Sequence, residues 1–222
     1  NSRAIGLSLE SPTLKCQYES EIVCLGGAAN VARHLSELCT DVTFVTSLNQ
    51  KYSMNNVNLI NVESKKYNTK TRYWVHRGDH TYKHLQINDT NNEEIEYTLP
   101  ISTVEEGYNV IAISDYRCGL LNQKTIKAIL QNKKSATTYA ASQVSSNENN
   151  FENYSGFDSF VMNMSEAVQY TSISEVSYEL FSGLDTKNIY ITEGSEGCRI
   201  YTHDNTEHFK TKKIRAWKPG CN

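Results

Sequence analysis

The feature that most constrains this chain is the alternation of short apolar runs with helical patterns through its second half. Asn109-Val110-Ile111-Ala112-Ile113 reads as a strand, residues 121–131 as a helix with Ile126, Ile129 and Leu130 inward, and residues 137–141 as a short strand. Residues 157–162 form a further strand, 164–184 are helical, and 187–192 are a third clear strand. Alternating βα units place helices on both faces of a mostly parallel sheet, so the class is α/β.

The first half has a different rhythm. Residues 6–25 read as extended segments, with Leu7 and Leu9 alternating with polar residues and Ile22-Val23-Cys24-Leu25 as a short apolar run. From Gly26-Gly27-Ala28-Ala29-Asn30 onward, Val31, Leu35 and Leu38 recur at helical spacing, so a helix begins at two glycines. Val42-Thr43-Phe44-Val45 follows as a strand, and the Asn-rich residues 49–56 as a loop. The β-rich stretches around 70–88 form a hairpin outside the main core, turning at Arg77-Gly78-Asp79, and make a candidate lid. Residues 142–153, mostly Ser, Asn and Glu, read as a surface loop.

Charge and cysteines narrow the function classes. A net charge of −3 gives no global attraction to nucleic acid or to an anionic membrane, so neither is expected as a partner. No apolar run approaches the roughly 20 residues that cross a bilayer, and the first residues lack the apolar core of a signal peptide, so a cytoplasmic protein is expected. The six cysteines stand at wide, irregular spacings without a CxxC pair, and read as reduced thiols. His76, His80 and His84 recur every four residues, but on β-rich neighbours they diverge rather than converge on a metal.

Ligands of open α/β sheets bind beyond the carboxyl ends of strands, which singles out four places. At Gly26-Gly27-Ala28-Ala29-Asn30 the backbone can approach a ligand closely and Asn30 can donate and accept, as sugar hydroxyls require; equally, the glycines serve a helix start packed tightly on a strand. Asp115, after the 109–113 strand, can accept hydrogen bonds from a polyol or act as a turn residue. Asn163 and Glu166 can share one target, the carboxylate holding a magnesium-bound water near phosphates, or form a helix cap with an acidic first turn. Thr192-Glu193-Gly194-Ser195-Glu196-Gly197 can wrap a nucleotide or close a hairpin. GxGxxG and GxxxxGK[ST] are both absent, which disfavours a dehydrogenase and requires any phosphoryl transfer to use another phosphate cradle.

In this order, these residues resemble the ribokinase or PfkB family of carbohydrate kinases over most of the chain. Gly26 to Ala32 is similar to the family's N-terminal glycine motif, Asn163-x-x-Glu166 to its NxxE motif, and Thr192-x-Gly194-x-x-Gly197 to its nucleotide turn. Within the family, residues 2–12, GGAANVAR, Thr69-Lys70-Thr71-Arg72 and Ser114-Asp115-Tyr116 most resemble bacterial kinases of heptose 7-phosphate. The resemblance implies a ribokinase-like three-layer αβα sandwich with a small β lid from about 6–25 and 57–88. It implies ATP and Mg2+ as cofactors and a sugar or sugar phosphate as substrate. Gly26, Gly27, Asn30, Arg72 and Asp115 would then contact the substrate, Asn163, Thr192, Gly194 and Gly197 the nucleotide, and Glu166 the metal through water. Lids of the family pair between subunits, so a homodimer through the lid is expected.

Two departures temper this. The family closes its site with an anion hole, roughly GAGD, whose Asp is the base. Here Gly220, Cys221 and Asn222 would form the anion hole, with the Asp expected just after Asn222. Together with the family's missing first strand, this leads us to expect a single kinase-like domain over 1–222 that is incomplete at both ends. The other departure is Ala140-Ala141-Ser142-Gln143, where heptose-phosphate kinases carry Asp-Pro-Lys. The alternative to a kinase is a non-catalytic binding or assembly protein that keeps the kinase fold.

Overall fold

The computed structural model describes residues 1–8, 10, 13–39, 41–49, 51–65, 67–90, 95, 103–104, 107–143 and 150–211. Internal contacts divide them into a smaller unit, Asn1–Gly26 with Lys65–Asn91, and a larger one, Gly27–Ser64 with Asn92–Lys213.

The smaller unit is a four-stranded sheet. Its strands are β1 (Ser2–Leu7), β2 (Leu14–Tyr18), β5 (Thr69–Arg77) and β6 (His80–Asp89), in the spatial order β2-β1-β5-β6. β5 and β6 form the hairpin expected around 70–88, turning through Gly78 at φ +58°. One face gathers apolar residues: the register places Leu7 opposite Leu14, Tyr18 opposite Ser2, Tyr73 opposite Leu85 and Thr71 opposite Ile87. Residues 19–26 form no strand, and Ile22 and Val23 are exposed, so the apolar run there is not a buried segment. The three histidines of the hairpin sit on strands. His76 Nδ1 bonds Thr81 Oγ1 at 2.6 Å, and His84 meets the Tyr82 ring edge-on.

The larger unit is built on a six-stranded sheet of β7 (Val110–Asp115), β8 (Thr137–Ser142), β9 (Ser159–Asn163), β10 (Asn188–Thr192), β11 (Cys198–Thr202) and β12 (Thr206–Phe209). The spatial order is β12-β11-β10-β9-β8-β7; β7 to β10 run parallel, and β11 and β12 return as antiparallel hairpins. A separate parallel pair joins β3 (Val42–Thr46) to β4 (Val57–Asn61), so residues 57–61, grouped with the lid on sequence, pair within this unit. Helices with described bounds are α1 (Gly27–Ser36), which contacts β3, β4 and β7, α2 (Gln123–Asn132) and α3 (Met164–Thr171), which contacts β9 and β10.

Register explains the core. Ile113, Ala140, Phe160 and Ile189 are successive cross-strand neighbours on one face, where they meet Ile126 and Ile129 of α2 and Ala167 of α3. Burying a Phe such as Phe160 contributes about 1.5–3 kcal/mol, so this row holds the parallel strands together. On the opposite face Tyr139, Val161, Tyr190 and Ile200 are only half-buried.

Two expectations are corrected. The polar stretch 142–153 runs into a 3-10 turn, Phe151–Tyr154, whose two aromatic side chains are buried: the i, i+3 spacing of such a turn puts both on the same side, against the core. The helix read over 164–184 stops at Thr171, because Ser172 adopts a left-handed conformation (φ +59°) and its N–H bonds the Val168 carbonyl; 3-10 turns follow over Tyr178–Leu184. At the amino ends of the strands, Asp158 accepts hydrogen bonds from Lys133, Lys187 and both the N–H and hydroxyl of Thr138.

Candidate functional site

Because β7 to β10 are parallel, their carboxyl ends form one edge of the sheet. Asp115 is paired with Ser142 there, and Asn163 with Thr192. Three strand spacings separate β7 from β10, roughly 14 Å at the usual spacing, so the two ends of this edge stand well apart.

At the β7 end, α1 begins at Gly27. A β-carbon on Gly27 would lie 1.8 Å from the Tyr116 hydroxyl oxygen, so the glycine admits the phenol to the start of the helix. Asn30, one turn on, is exposed, and Gly26 has open space around it. Asp115 is buried, 7% exposed, and its carboxylate is already engaged. Oδ1 accepts the Arg117 N–H at 2.7 Å, while Oδ2 accepts from the Tyr154 hydroxyl at 2.6 Å and Asn150 Nδ2 at 2.9 Å; Ser142 Oγ lies 3.3 Å from Oδ2 and donates to Asn150 Oδ1 at 2.6 Å. Burial, then the Asp115 charge, push the Tyr154 phenol far above its ordinary range, which keeps it a donor.

At the other end, Asn163 and Glu166 close a reciprocal cap on α3. Asn163 Oδ1 accepts the Glu166 N–H at 2.9 Å, and Glu166 Oε2 accepts the Asn163 N–H at 2.8 Å. This is the capping arrangement, and it still presents a carboxylate at the positive end of a helix. Thr192 leads into a short 3-10 turn at Gly194–Glu196. Gly194 (φ +59°) stands in open space, so a ligand can approach its backbone. Gly197 has a different reason: at φ +113° its β-carbon would lie 2.0 Å from the Phe209 carbonyl oxygen, so it serves the packing of β12. Glu193 pairs with Arg199 at 3.4 Å and lies 3.5 Å from His208 Nε2, which contacts the Glu196 carbonyl at 3.0 Å; Arg199 and His208 also line a cleft of about 510 Å3 beside Met164.

The structure thus brings Gly27, Asn30 and Asp115 to one end of the strand edge and Asn163, Glu166, Thr192 and Gly194 to the other. Arg72 lies on β5 of the smaller unit and is exposed; Gly220, Cys221 and Asn222 lie outside the described residues. Sequence reasoning missed Asn150, Tyr154 and Ser142 as partners of Asp115, and Tyr116 as the neighbour of Gly27. Only the aromatic spacing Phe151 to Tyr154 in a polar stretch hinted at the first of these. Among the described residues, no group of three or more His, Cys, Asp or Glu side chains could hold a metal.

This architecture is the ribokinase-like fold. The chain is similar to phosphofructokinase-2 from Escherichia coli in complex with fructose-6-phosphate, with a TM-score of 0.66 at 14% identity over 98% of this chain and 77% of that one. It is similar to ribokinase from Thermotoga maritima (TM-score 0.61, 13% identity, 97% of this chain and 75% of that one). Ribokinase from Giardia lamblia gives a TM-score of 0.64 at 13% identity over 95% and 72%. No family model and no curated protein matches the chain.

Proposed function

We propose that the protein is an ATP-dependent carbohydrate kinase of the PfkB or ribokinase type, acting on a hydroxyl of a sugar or sugar phosphate. The observation that carries this reading is the shared strand edge, with a glycine-started helix at the β7 end and the Asn163/Glu166 cap and Gly194 turn at the β10 end. ATP supplies the phosphoryl group. The backbone at Gly194 and the Thr192 side chain hold the nucleotide, and the Glu166 carboxylate orients water around magnesium near the phosphates. Asn30 and the start of α1 position the sugar. A heptose 7-phosphate-like substrate rests on the patterns at residues 2–12, GGAANVAR, Thr69-Lys70-Thr71-Arg72 and Ser114-Asp115-Tyr116 alone.

One observation favours a second reading, a non-catalytic kinase-fold binding or assembly protein: the chain's own donors occupy Asp115. An assay of ADP formation with magnesium, ATP and a panel of sugars and sugar phosphates separates the two. The kinase reading expects at least one acceptor to raise ADP formation above the ATPase background. Binding of ATP or sugar without turnover supports the second reading, and a protein that neither binds nor consumes ATP overturns the first.

The apolar face of the smaller unit's sheet supports a homodimer. Leu7 is 69% and Tyr18 68% exposed, and Tyr73, Leu85 and Ile87 are exposed beside each other across β5 and β6. A contiguous apolar sheet face of this kind favours burial against a second copy. Light scattering at micromolar concentration is expected to give a dimer that Leu85→Lys converts to monomer; a monomeric wild type overturns the assignment.

A further inference from the structure

We infer that Tyr116 determines which sugars the start of α1 accepts, a role that rests on the carbohydrate-kinase reading. The position of its phenol is the starting point. The β-carbon that Gly27 lacks would fall 1.8 Å from the Tyr116 hydroxyl oxygen and 2.3 Å from Cζ, so the ring tip occupies the space that any side chain at position 27 would fill. The glycine has made room for a phenol. A ligand hydroxyl approaching Gly27 from its β-carbon side therefore meets the Tyr116 ring before it meets the backbone.

The turn that carries Tyr116 is held on both sides. Asp115 Oδ1 takes the Arg117 N–H at 2.7 Å, and Arg117 itself is left-handed at φ +55°. Asp115 Oδ2 is tied in turn to Ser142, Asn150 and Tyr154, and the Asp115 carbonyl accepts the Gln143 N–H at 2.9 Å. Cys118 Sγ donates to the Tyr116 carbonyl at 3.3 Å. Asp115 is thus a positioning residue, spending its carboxylate on the loop that aims the phenol, while Tyr116 is the side chain that a ligand encounters. A half-buried aromatic held beside the first turn of a helix discriminates by size and by hydrogen bonding to its hydroxyl.

Calorimetric titration of D-ribose, fructose 6-phosphate and sedoheptulose 7-phosphate into wild type, Tyr116→Phe, Tyr116→Ala, Gly27→Ala and the Gly27→Ala/Tyr116→Ala double variant tests the role. Tyr116→Ala should favour the larger sugars, changing the heptose-to-ribose Kd ratio by about tenfold or more. Gly27→Ala pushes the phenol aside and should change the ratio in the same direction, with the double variant showing less than the product of the single effects. If the wild type binds a sugar and Tyr116→Ala leaves every ratio within twofold, the specificity role is overturned while the kinase reading stands. If neither the wild type nor Tyr116→Ala binds any of the three, the sugar reading fails and the role falls with it. The contact itself is read without ligand. Gly27→Ala should be more favourable in the Tyr116→Ala background than in the wild type, by about 2 °C or more in Tm; equal effects would show that the two residues do not touch.

Discussion

Asp115→Ala is expected to cost about 3–5 kcal/mol of the larger unit's stability, a large share of the roughly 5–15 kcal/mol that a domain typically has. The carboxylate is the common acceptor of three donors, the Arg117 N–H, Asn150 and Tyr154, and the last of these is itself buried. Removing it strands a buried phenol O–H, at about 1–3 kcal/mol for each buried group left unsatisfied. Asp115→Asn should fall between, because the amide keeps one acceptor oxygen but turns an N–H2 toward groups that also donate. Tyr154→Phe removes only one donor and should cost about 1–2 kcal/mol. Urea denaturation checks the series in the order Ala, Asn, Phe by decreasing loss. An Asp115→Ala midpoint within about 1 kcal/mol of the wild type would show that the network does not bear on folding.

The ordering of that network also shows where sequence reasoning reached and where it stopped. The strands ending at Asp115, Asn163 and Thr192 were legible because each is a short apolar run closed by a polar residue, and parallel pairing then places those ends together without further information. The NxxE spacing was legible as a cap for the same local reason, since both of its hydrogen bonds join residues three apart. The partners of Asp115 were not. Asn150 and Tyr154 lie 35 and 39 residues away, in a stretch whose composition says surface, and nothing local reveals that its polar tips serve a buried carboxylate. Pairing of residues 57–61 with β3 is likewise a long-range choice of partner that an apolar run leaves undetermined. The helix end at Ser172 was hidden because it uses a left-handed serine, where glycine or proline would have announced the stop. Gly27 and Gly197 stood out as glycines, but their cause was readable only in three dimensions: a phenol fills the missing β-carbon's place in one and a backbone carbonyl in the other.

Asp158→Ala should destabilise the protein by about 3 kcal/mol at pH 7, and that difference should shrink in acid. Asp158 stands just before β9, at the end of the sheet opposite the candidate site, and joins three successive strand units. Lys133 at the end of α2 and Lys187 before β10 each reach it at 2.7 Å, and the fully buried Thr138 of β8 gives it both an N–H and a hydroxyl. The two ion pairs are unequal. The Lys187 side chain is 78% exposed and so contributes little, whereas Lys133 is 22% exposed and works in a less screened setting. Burial alone would raise the Asp158 pKa, but the hydrogen bonds from Lys133, Lys187 and Thr138 outweigh it and hold the carboxyl well below the usual carboxylate range. The sign of the pH effect follows. Below the ordinary aspartate value of about 3.9 the unfolded chain takes up a proton that the folded chain refuses, so the unfolded state gains relative to the folded one as pH falls. The stabilisation is complete above that value and lost progressively beneath it. Denaturation of wild type and Asp158→Ala at pH 7 and again near pH 2 reads the effect directly. The gap between the two proteins should be full at the first pH and closing at the second, whereas a gap independent of pH would mean that the carboxylate's charge is not what joins these strands.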